Sequence, residues 1–479
     1  MRFLLILMIL ACEGLAAQNM RHITLAEVVD LAKSRSIAAR QAETARETRY
    51  WQYRAFQSDF KPQLVLSGSL PSFSRAFREV WQPNGTVLFQ PVRNNNSSLS
   101  LSLQQNIART GSKLFAITQM QRFDDFDRKT TLYNGAPLTA IGIEQPLLQF
   151  NAMKWDNKIE PLRYEESRRA YTEEMEDIGS TACTLYFSLL LAQVNADIAA
   201  TNLTNTEEIL RIARAKYDLG KTARNELLQL ELEQLKAQKA VAAAQRDATI
   251  AELQLRSYCA LPDGERLLLE EPVPVLPPDA AVETLLTEAL ANRADALAFL
   301  RRRLEAERAV AKAKGDNGIN LTLSANVGLA NSGNQFDAVL RQPQDYQAIR
   351  LQMDVPVLDW GRSKARIKTA QANKQLAEYT IQQDQQTFRQ QLVTAVSLYQ
   401  LLKNQLNLNA QADKIAEEQY QIARERYLLG NLDVMNLSLS LAEKDRAKRD
   451  YIGVLRDYWN AWFSLRRLTL YDLEKQQKI

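Results

Sequence analysis

The chain has 479 residues, with 60 Lys and Arg against 56 Asp and Glu, three Cys and one His. A formal net charge of +4, with no long block of one sign, argues against nucleic acid as a partner. The single histidine, His22, leaves no Ser-His-Asp set and no His-based zinc set, and no Gly-rich phosphate loop occurs, so we expect no enzyme, no cofactor and no metal.

Residues 1–17 read as a secretory signal: Arg2, an apolar run over 3–11, then Gly14, Ala16 and Ala17 as small residues for the peptidase. The stretch ILAC at 9–12 alternatively reads as a lipobox, which would make Cys12 a lipidated amino terminus. Beyond the signal no apolar run reaches the roughly 18 residues of a membrane helix, so entry into a membrane would be by strands.

A helix is expected over 24–57, with Val28, Leu31 and Ala32 on one stripe. QLVLSGSL at 63–70 reads as a strand. Two alternating segments, 98–104 and 114–120, are joined through a turn at Thr110 and Gly111 and predict a hairpin, which either enters a barrel or decorates it. Ile141 and Ile143 alternate with Gly142 and Glu144 in a return strand closed by Pro146, where a ladder donor is no longer needed. A helix over 152–218 carries Pro161, expected to kink it or mark its true start. Gly220 stops it, and another helix runs over 222–260. A Pro-rich link over 271–278 is expected to run outside a helical wall.

The pattern then returns. IARAKYDLG at 212–220 reappears as IARERYLLG at 422–430, and PLLQF at 146–150 as PVLDW at 356–360, both 210 positions on. Residues 281–314 repeat the first helix, with Leu285, Leu286, Ala289 and Leu290 as its stripe. In 319–329, Ile, Leu, Ala and Val alternate with Asn, Thr, Ser and Gly, a run that fits a tilted membrane strand of ~9–11 residues. A return strand over 349–355 ends at Pro356. Phe150 and Trp360 follow the two prolines, placed for an interfacial aromatic girdle. On the strands alone, an ordinary β-sandwich also fits. Helices are expected over 362–428 and 432–470, separated at Gly430. The long helices would span ~100 Å each, and two short ones end to end ~110 Å, so one long helix could lie beside two short ones. Leu64 matches Leu321 at an offset of 257, so the first copy holds 47 extra residues between its strands. The resulting division is signal peptide 1–17, first repeat 18–270, linker 271–280, second repeat 281–470 and tail 471–479.

Signal, helix, strand pair, long helix and helix, all duplicated, resemble the TolC family of outer-membrane efflux channels. The motifs that carry the resemblance are Gln145-Pro146-Leu147 and Val355-Pro356-Val357, the Tyr-x-x-Gly helix ends at Tyr217 and Tyr427, and Asn292-Arg293-Ala-Asp295. The glycine expected after the strand end is Gly361 in the second copy and Asn151 in the first. The resemblance implies a mixed α and membrane-β fold: a homotrimeric outer-membrane β-barrel continued by a long periplasmic α-helical barrel, with four strands and four helical strands per protomer. The extra hairpin sets the twelve-strand count in question. Four strands cannot close a barrel and open edges are not tolerated in lipid, so oligomerisation follows on physical grounds too.

By resemblance, Leu219, Gly220, Leu429 and Gly430 form the periplasmic tip where a membrane-fusion adaptor docks, serving an inner-membrane pump of RND, ABC or similar type. Pro146, Phe150, Pro356 and Trp360 mark the junction of barrel and helices. The family's gate acid, six positions after the glycine, is Glu226 in the first copy and Asn436 in the second; three Glu226 would form a cation-favouring ring. A second family acid is Leu439 here. Tyr427 matches the gate tyrosine, but its arginine partner is Leu432, so that lock cannot form. Glu226 is also what a helix first turn favours anyway, Tyr427 could cap a coiled-coil seam, and Leu439 reads as a seam packing residue. Cys183 and Cys259 lie at similar distances from Gly220; buried thiols are expected, with a disulfide as the alternative in an oxidising compartment. The function that follows is a passive outer-membrane channel, with outer-membrane lipid as a partner. The rival is a periplasmic coiled-coil adaptor or scaffold.

Overall fold

A computed structural model describes residues 20–220, 223–262, 265–274, 281–429 and 431–479. The signal segment with Cys12, most of the Pro-rich link and Gly430 lie outside the described residues.

In chain order the elements are β1 (Met20–Ile23), α1 (Leu25–Arg35), α2 (Ile37–Ser58), β2 (Gln63–Ser69), β3 (Phe73–Trp81), β4 (Val87–Ile107), β5 (Ser112–Asp125), β6 (Thr130–Leu147), α3 (Ala152–Asp218), α4 (Arg224–Cys259) and β7 (Arg266–Leu269). The second copy gives α5 (Val282–Asn292), α6 (Ala294–Asp316), β8 (Asn320–Gly333), α7 (Phe336–Arg341), β9 (Gln344–Asp354), α8 (Arg362–Leu428) and α9 (Val434–Thr469), followed by the short pair β10 (Tyr471–Asp472) and β11 (Gln477–Lys478). Both long helices have 67 residues, with the bounds expected from sequence. Pro161 lies inside α3 and does not mark its start. The start is set by Asn151, whose Oδ1 accepts the Lys154 N–H at 3.0 Å.

The expected helices over 24–57 and 281–314 are each two helices. Thr24 and Glu27 form a capping box on α1. Ser36 then leaves helical geometry (φ −61°, ψ 152°), and its Oγ accepts the Ala39 N–H at 3.0 Å, capping α2. At the second break Arg293 is extended, and the Ala294 N–H donates to Glu173 Oε1 of α3 at 2.8 Å. A one-residue break preserves the apolar stripe on both sides, so periodicity cannot reveal it.

The chain forms two compact units. The first comprises residues up to Glu47, Ser167–Ala296 and Gln385–Ile479. Its core interleaves all four tip-bound helices with α1 and α5: Tyr186, Leu189, Leu255, Leu392, Leu455 and Tyr458 are fully enclosed. β1 and β7 pair in parallel, an element that sequence reading missed. Polar side chains of α3 hold this pair. The Tyr186 hydroxyl donates to the carbonyl oxygens of Ile23 and Glu270. Gln193 donates to Leu267 O at 2.6 Å and accepts the Leu269 N–H at 3.1 Å. Contrary to expectation, α3 does contain an 18-residue window apolar enough to cross a membrane by length and composition (mean hydropathy 1.3). Tyr186, Phe187, Leu189 and Leu190 of α3 are packed in this helical core, which accounts for its apolar character without a membrane.

Cys183 and Cys259 are buried, unbridged thiols in this core. Burial pushes the Cys259 thiol up to about 11 and the Cys183 thiol higher still. Both are therefore unreactive thiols in the folded protein. Native protein should take up no iodoacetamide at either position, and denatured, non-reduced protein should take up two; mass spectrometry showing an intact bridge after denaturation would contradict this.

The second unit, Thr48–Glu166 and Leu297–Asp384, holds an antiparallel sheet in the order β2-β4-β5-β6-β8-β9, with β3 also on β4. β2 and β3 pair with successive parts of the 21-residue β4, so they act as one long strand broken at 70–72. The hairpin of β4 and β5 therefore joins the sheet between β2 and β6. Six strand positions replace the four implied by the family.

Apart from the six-residue α7, which packs on β6 and β8 through the buried Val339, no second layer covers this sheet among the described residues. Cross-strand partners share a face, and one face is predominantly apolar. One face carries Leu66, Leu101, Thr118, Thr139 and Leu329 in one row and Leu64, Leu103, Ala116, Ile141 and Val327 in the next, the rows ending at Asp345 and Gln347 of β9. Its apolar side chains stand exposed, Ile141 at 68% and Ile349 at 81%. The other face carries Ser67, Ser100, Ser102, Gln104, Gln119 and Asn326, with Val65, Phe115 and Ile117 among them. A sandwich would bury the apolar face, so the β-sandwich reading fails. A large exposed apolar face backed by a polar one fits lipid on one side and water on the other.

Candidate channel tip and barrel junction

The tip lies in the first unit. α3 ends in the left-handed Gly220 (φ +71°), whose N–H donates to Tyr217 O at 2.8 Å. α8 ends at Leu428, with the Leu429 N–H on Glu425 O at 3.1 Å. Leu219, Leu429 and Met435 are all exposed, so the two helix turns present bare apolar side chains. Arg214 and Glu231 pair at 3.0 Å between α3 and α4, and Arg424 and Glu208 at 3.3 Å between α8 and α3. These contacts hold the helices together just above the turns.

The gate residues fall into different settings. Glu226 is exposed in the first turn of α4, whose cap residue Ala223 offers no side-chain bond. Asn436 is exposed at the same point of α9, but there Asp433 caps the helix, its Oδ1 accepting the Asn436 N–H at 2.8 Å. The second copy has therefore moved its acid from the third helical position to the cap. Sequence reading missed Asp433; the signal was the Asx residue three before Asn436.

Tyr427 is 5% exposed and packs with Tyr420, Ala423 and Leu437. Lys216 Nζ lies 5.5 Å from its ring centroid. Burial, with a contribution from the Glu226 carboxylate, pushes its hydroxyl pKa up. Leu432, at the family's arginine position, packs against this same cluster. The contact at this position is therefore apolar. Leu439, expected as a seam residue, is exposed on α9 of the single chain.

The junction lies in the second unit. Pro146 is still within β6, opposite Thr322 of β8, and one residue from the strand end. Leu148 adopts a positive φ, and Gln149 donates to Leu321 O at 3.1 Å and Thr322 Oγ1 at 2.9 Å. Phe150 closes on Gly315 of α6, where an added Cβ would meet the Phe150 backbone nitrogen at 2.7 Å. In the second copy β9 ends at Asp354, before Pro356. Asp359 accepts the N–H groups of Gly361 (3.0 Å) and Ser363 (2.7 Å), and these bonds hold its carboxyl below the ordinary range. Trp360 takes a left-handed φ of +54° and is 91% exposed. The two aromatic positions thus differ: Trp360 projects freely, whereas Phe150 is half-buried against a helix.

Asn151, which stands where the second copy has glycine, does two jobs. Besides capping α3, its Nδ2 donates to Ala108 O at 2.9 Å, in the turn between β4 and β5. Gly361 needs no such side chain, because the second copy has no such turn.

The family model described as outer membrane efflux protein matches residues 28–260 and again 285–469, one match per repeat. Solved structures share the fold at low identity. The open-state MtrE outer membrane channel of Neisseria gonorrhoeae is 16% identical, with 95% of this chain and 91% of that one covered and a TM-score of 0.66. The Campylobacter jejuni CmeC outer membrane channel is 17% identical, with 94% and 88% covered and a TM-score of 0.65. The outer membrane protein VceC of Vibrio cholerae is 16% identical, with 93% and 95% covered and a TM-score of 0.64. With both repeats matched, the duplicated fold and the lipid-type sheet face agree, and the chain belongs to the outer membrane efflux protein family.

Proposed function

We propose that the protein is the passive exit duct of a tripartite export system, working as a homotrimer. An inner-membrane pump of RND, ABC or similar class and a periplasmic membrane-fusion adaptor supply cargo and drive. The observation that carries this reading is the single-layer sheet with an exposed apolar face and two unpaired edges, β2 and β9. Unpaired edges do not survive in lipid, so strands of further copies must complete the sheet. The exposed leucines at 219 and 429 supply an apolar docking surface for the adaptor, with Gly220 as a turn that presents it. No role as an enzyme is proposed, because the one histidine, His22, sits exposed 3.7 Å from Glu270 with no nucleophile assigned to it.

Recovery in outer-membrane fractions, with a band that shifts on heating before electrophoresis, is the expected result. Recovery in the soluble periplasm would favour the adaptor or scaffold reading and sink this one. Gating at the tip rests on Glu226, with Asp433 as a second acid. In planar bilayers Glu226→Gln should lower the cation-over-anion permeability ratio by about twofold or more, read from the reversal potential in a salt gradient. An unchanged reversal potential would remove Glu226 from the conducting path.

A further inference from the structure

We infer that each copy gives six strands to the shared barrel, so that a trimer closes eighteen strands and the exit pore is widened accordingly. This rests on the trimeric reading above. The extra hairpin could have lain outside the membrane wall; three observations place it inside.

The first is register. β4 pairs with β2 and β5 along their lengths, and β5 pairs with β6 from Lys113 opposite Glu144 to Asp125 opposite Thr130, across one irregularity. β2 and β6 make no ladder with each other, so removing the hairpin would open the sheet.

The second is the lipid-type face. The row Leu64, Leu103, Ala116, Ile141 and Val327 crosses the hairpin without a polar interruption. The opposite face of the hairpin carries Ser98, Ser100, Ser102 and Gln104 on β4 and Gln119 and Gln121 on β5, polar groups that suit a water-filled lumen, with Phe115 and Ile117 among them and Lys113 at the turn end. A hairpin lying over an existing wall would not carry this alternation in phase with it.

The third is anchorage. The turn between β4 and β5 is tied to both ends of the neighbouring helices: Asn151 donates to Ala108 O at 2.9 Å, Asn106 to Asp59 O at 3.0 Å and Gln105 to Phe60 O at 2.9 Å. The turn therefore sits at the level where strands become helices, as a periplasmic turn of a membrane barrel must.

The edges also suit closure. All neighbours are antiparallel, and six is even, so β9 of one copy would meet β2 of the next antiparallel. With strands about 4.8 Å apart and tilted about 40°, eighteen strands give a barrel about 36 Å across between backbones, against about 24 Å for twelve. The open cross-section rises about twofold, and the barrel stops being the size limit on cargo.

Electron microscopy of the full chain in lipid nanodiscs tests this. End-on averages should show a threefold particle with a barrel about 36 Å wide. A threefold particle with a barrel about 24 Å wide would overturn the inference and leave the channel reading intact, whereas no membrane barrel at all would overturn both. Ser100→Cys and Leu101→Cys provide an independent readout, since the two native thiols are buried. A charged, membrane-impermeant thiol reagent should modify Ser100→Cys and spare Leu101→Cys; equal modification of the two would place the hairpin in water and overturn the inference.

Discussion

Gly328→Val is expected to abolish the heat-modifiable oligomer. Gly328 lies in β8 opposite Ala140 of β6, on the seam where the first repeat's strands meet the second's. A Cβ there would fall 2.0 Å from Thr139 O, 2.6 Å from Ala140 Cα and 2.8 Å from Ala140 Cβ. Two of these three atoms are backbone, so no rotamer change relieves the clash; the two strands must part. Ordinary overpacking costs roughly 1–3 kcal/mol, and loss of ladder bonds between two repeats adds to it. Gly142→Ala offers a graded comparison. Its nearest obstacle is the Phe115 ring at 2.4 Å, which can turn, followed by Ala325 O at 2.9 Å. It should lower the yield of assembled channel rather than remove it. Normal amounts of heat-modifiable band from Gly328→Val would show that β6 and β8 do not pair as described.

The second large effect is expected from Glu176→Ala in the helical unit. Glu176 is 2% exposed and accepts from Lys33 Nζ at 2.5 Å and Arg466 Nε at 2.9 Å. Arg466 in turn donates to Asp472 at 2.7 Å. One carboxylate thus joins α1, α3, α9 and the C-terminal pair of short strands. Its removal leaves the half-buried Lys33 without this partner and Arg466 with Asp472 alone, a loss of at most about 3–5 kcal/mol. Burial alone would raise the Glu176 pKa, but Arg466 and Lys33 outweigh it and the net shift is downward from 4.5. A depressed folded-state pKa means that the contribution is present at neutral pH and fades as pH falls through the folded value. The wild-type melting temperature, followed by helical circular dichroism, should therefore drop below about pH 4.5 more steeply than that of Glu176→Gln. Parallel pH profiles for the two proteins would show that Glu176 is not the linked group.

Much of the architecture was legible in the residues. The two 67-residue helices could be bounded because their limits are local: a cap or turn at one end, a Tyr-x-x-Gly stop at the other, and no break signal strong enough between. Pro161 did not disturb this. The β8 strand was legible from alternation alone, although it extends to Gly333, four residues past the expected end at 329. The helix ends at Leu219 and Leu429 were found by position, and the leucine at 432, where the family has arginine, was visible from the same comparison. What replaces that arginine was not visible, because the apolar cluster of Tyr420, Tyr427 and Leu437 is assembled from two helices. The Asp433 cap could have been found, since its signal lies within three residues of Asn436.

By itself the sequence determined the duplication, the type and length of the long helices, the membrane character of the strands and the family. Each of these rests on periodicity or on a short motif, which neighbouring residues encode. Only the tertiary structure decided where the extra hairpin goes, because strand pairing joins residues far apart and either face of the pattern could have met another partner. It also decided the break at Arg293, where the cap is Glu173 from a different helix. Asn151 belongs to both levels: as a departure from glycine it was plain in the sequence, but its reason, a bond to Ala108 in the added turn, exists only once β4, β5 and β6 lie side by side.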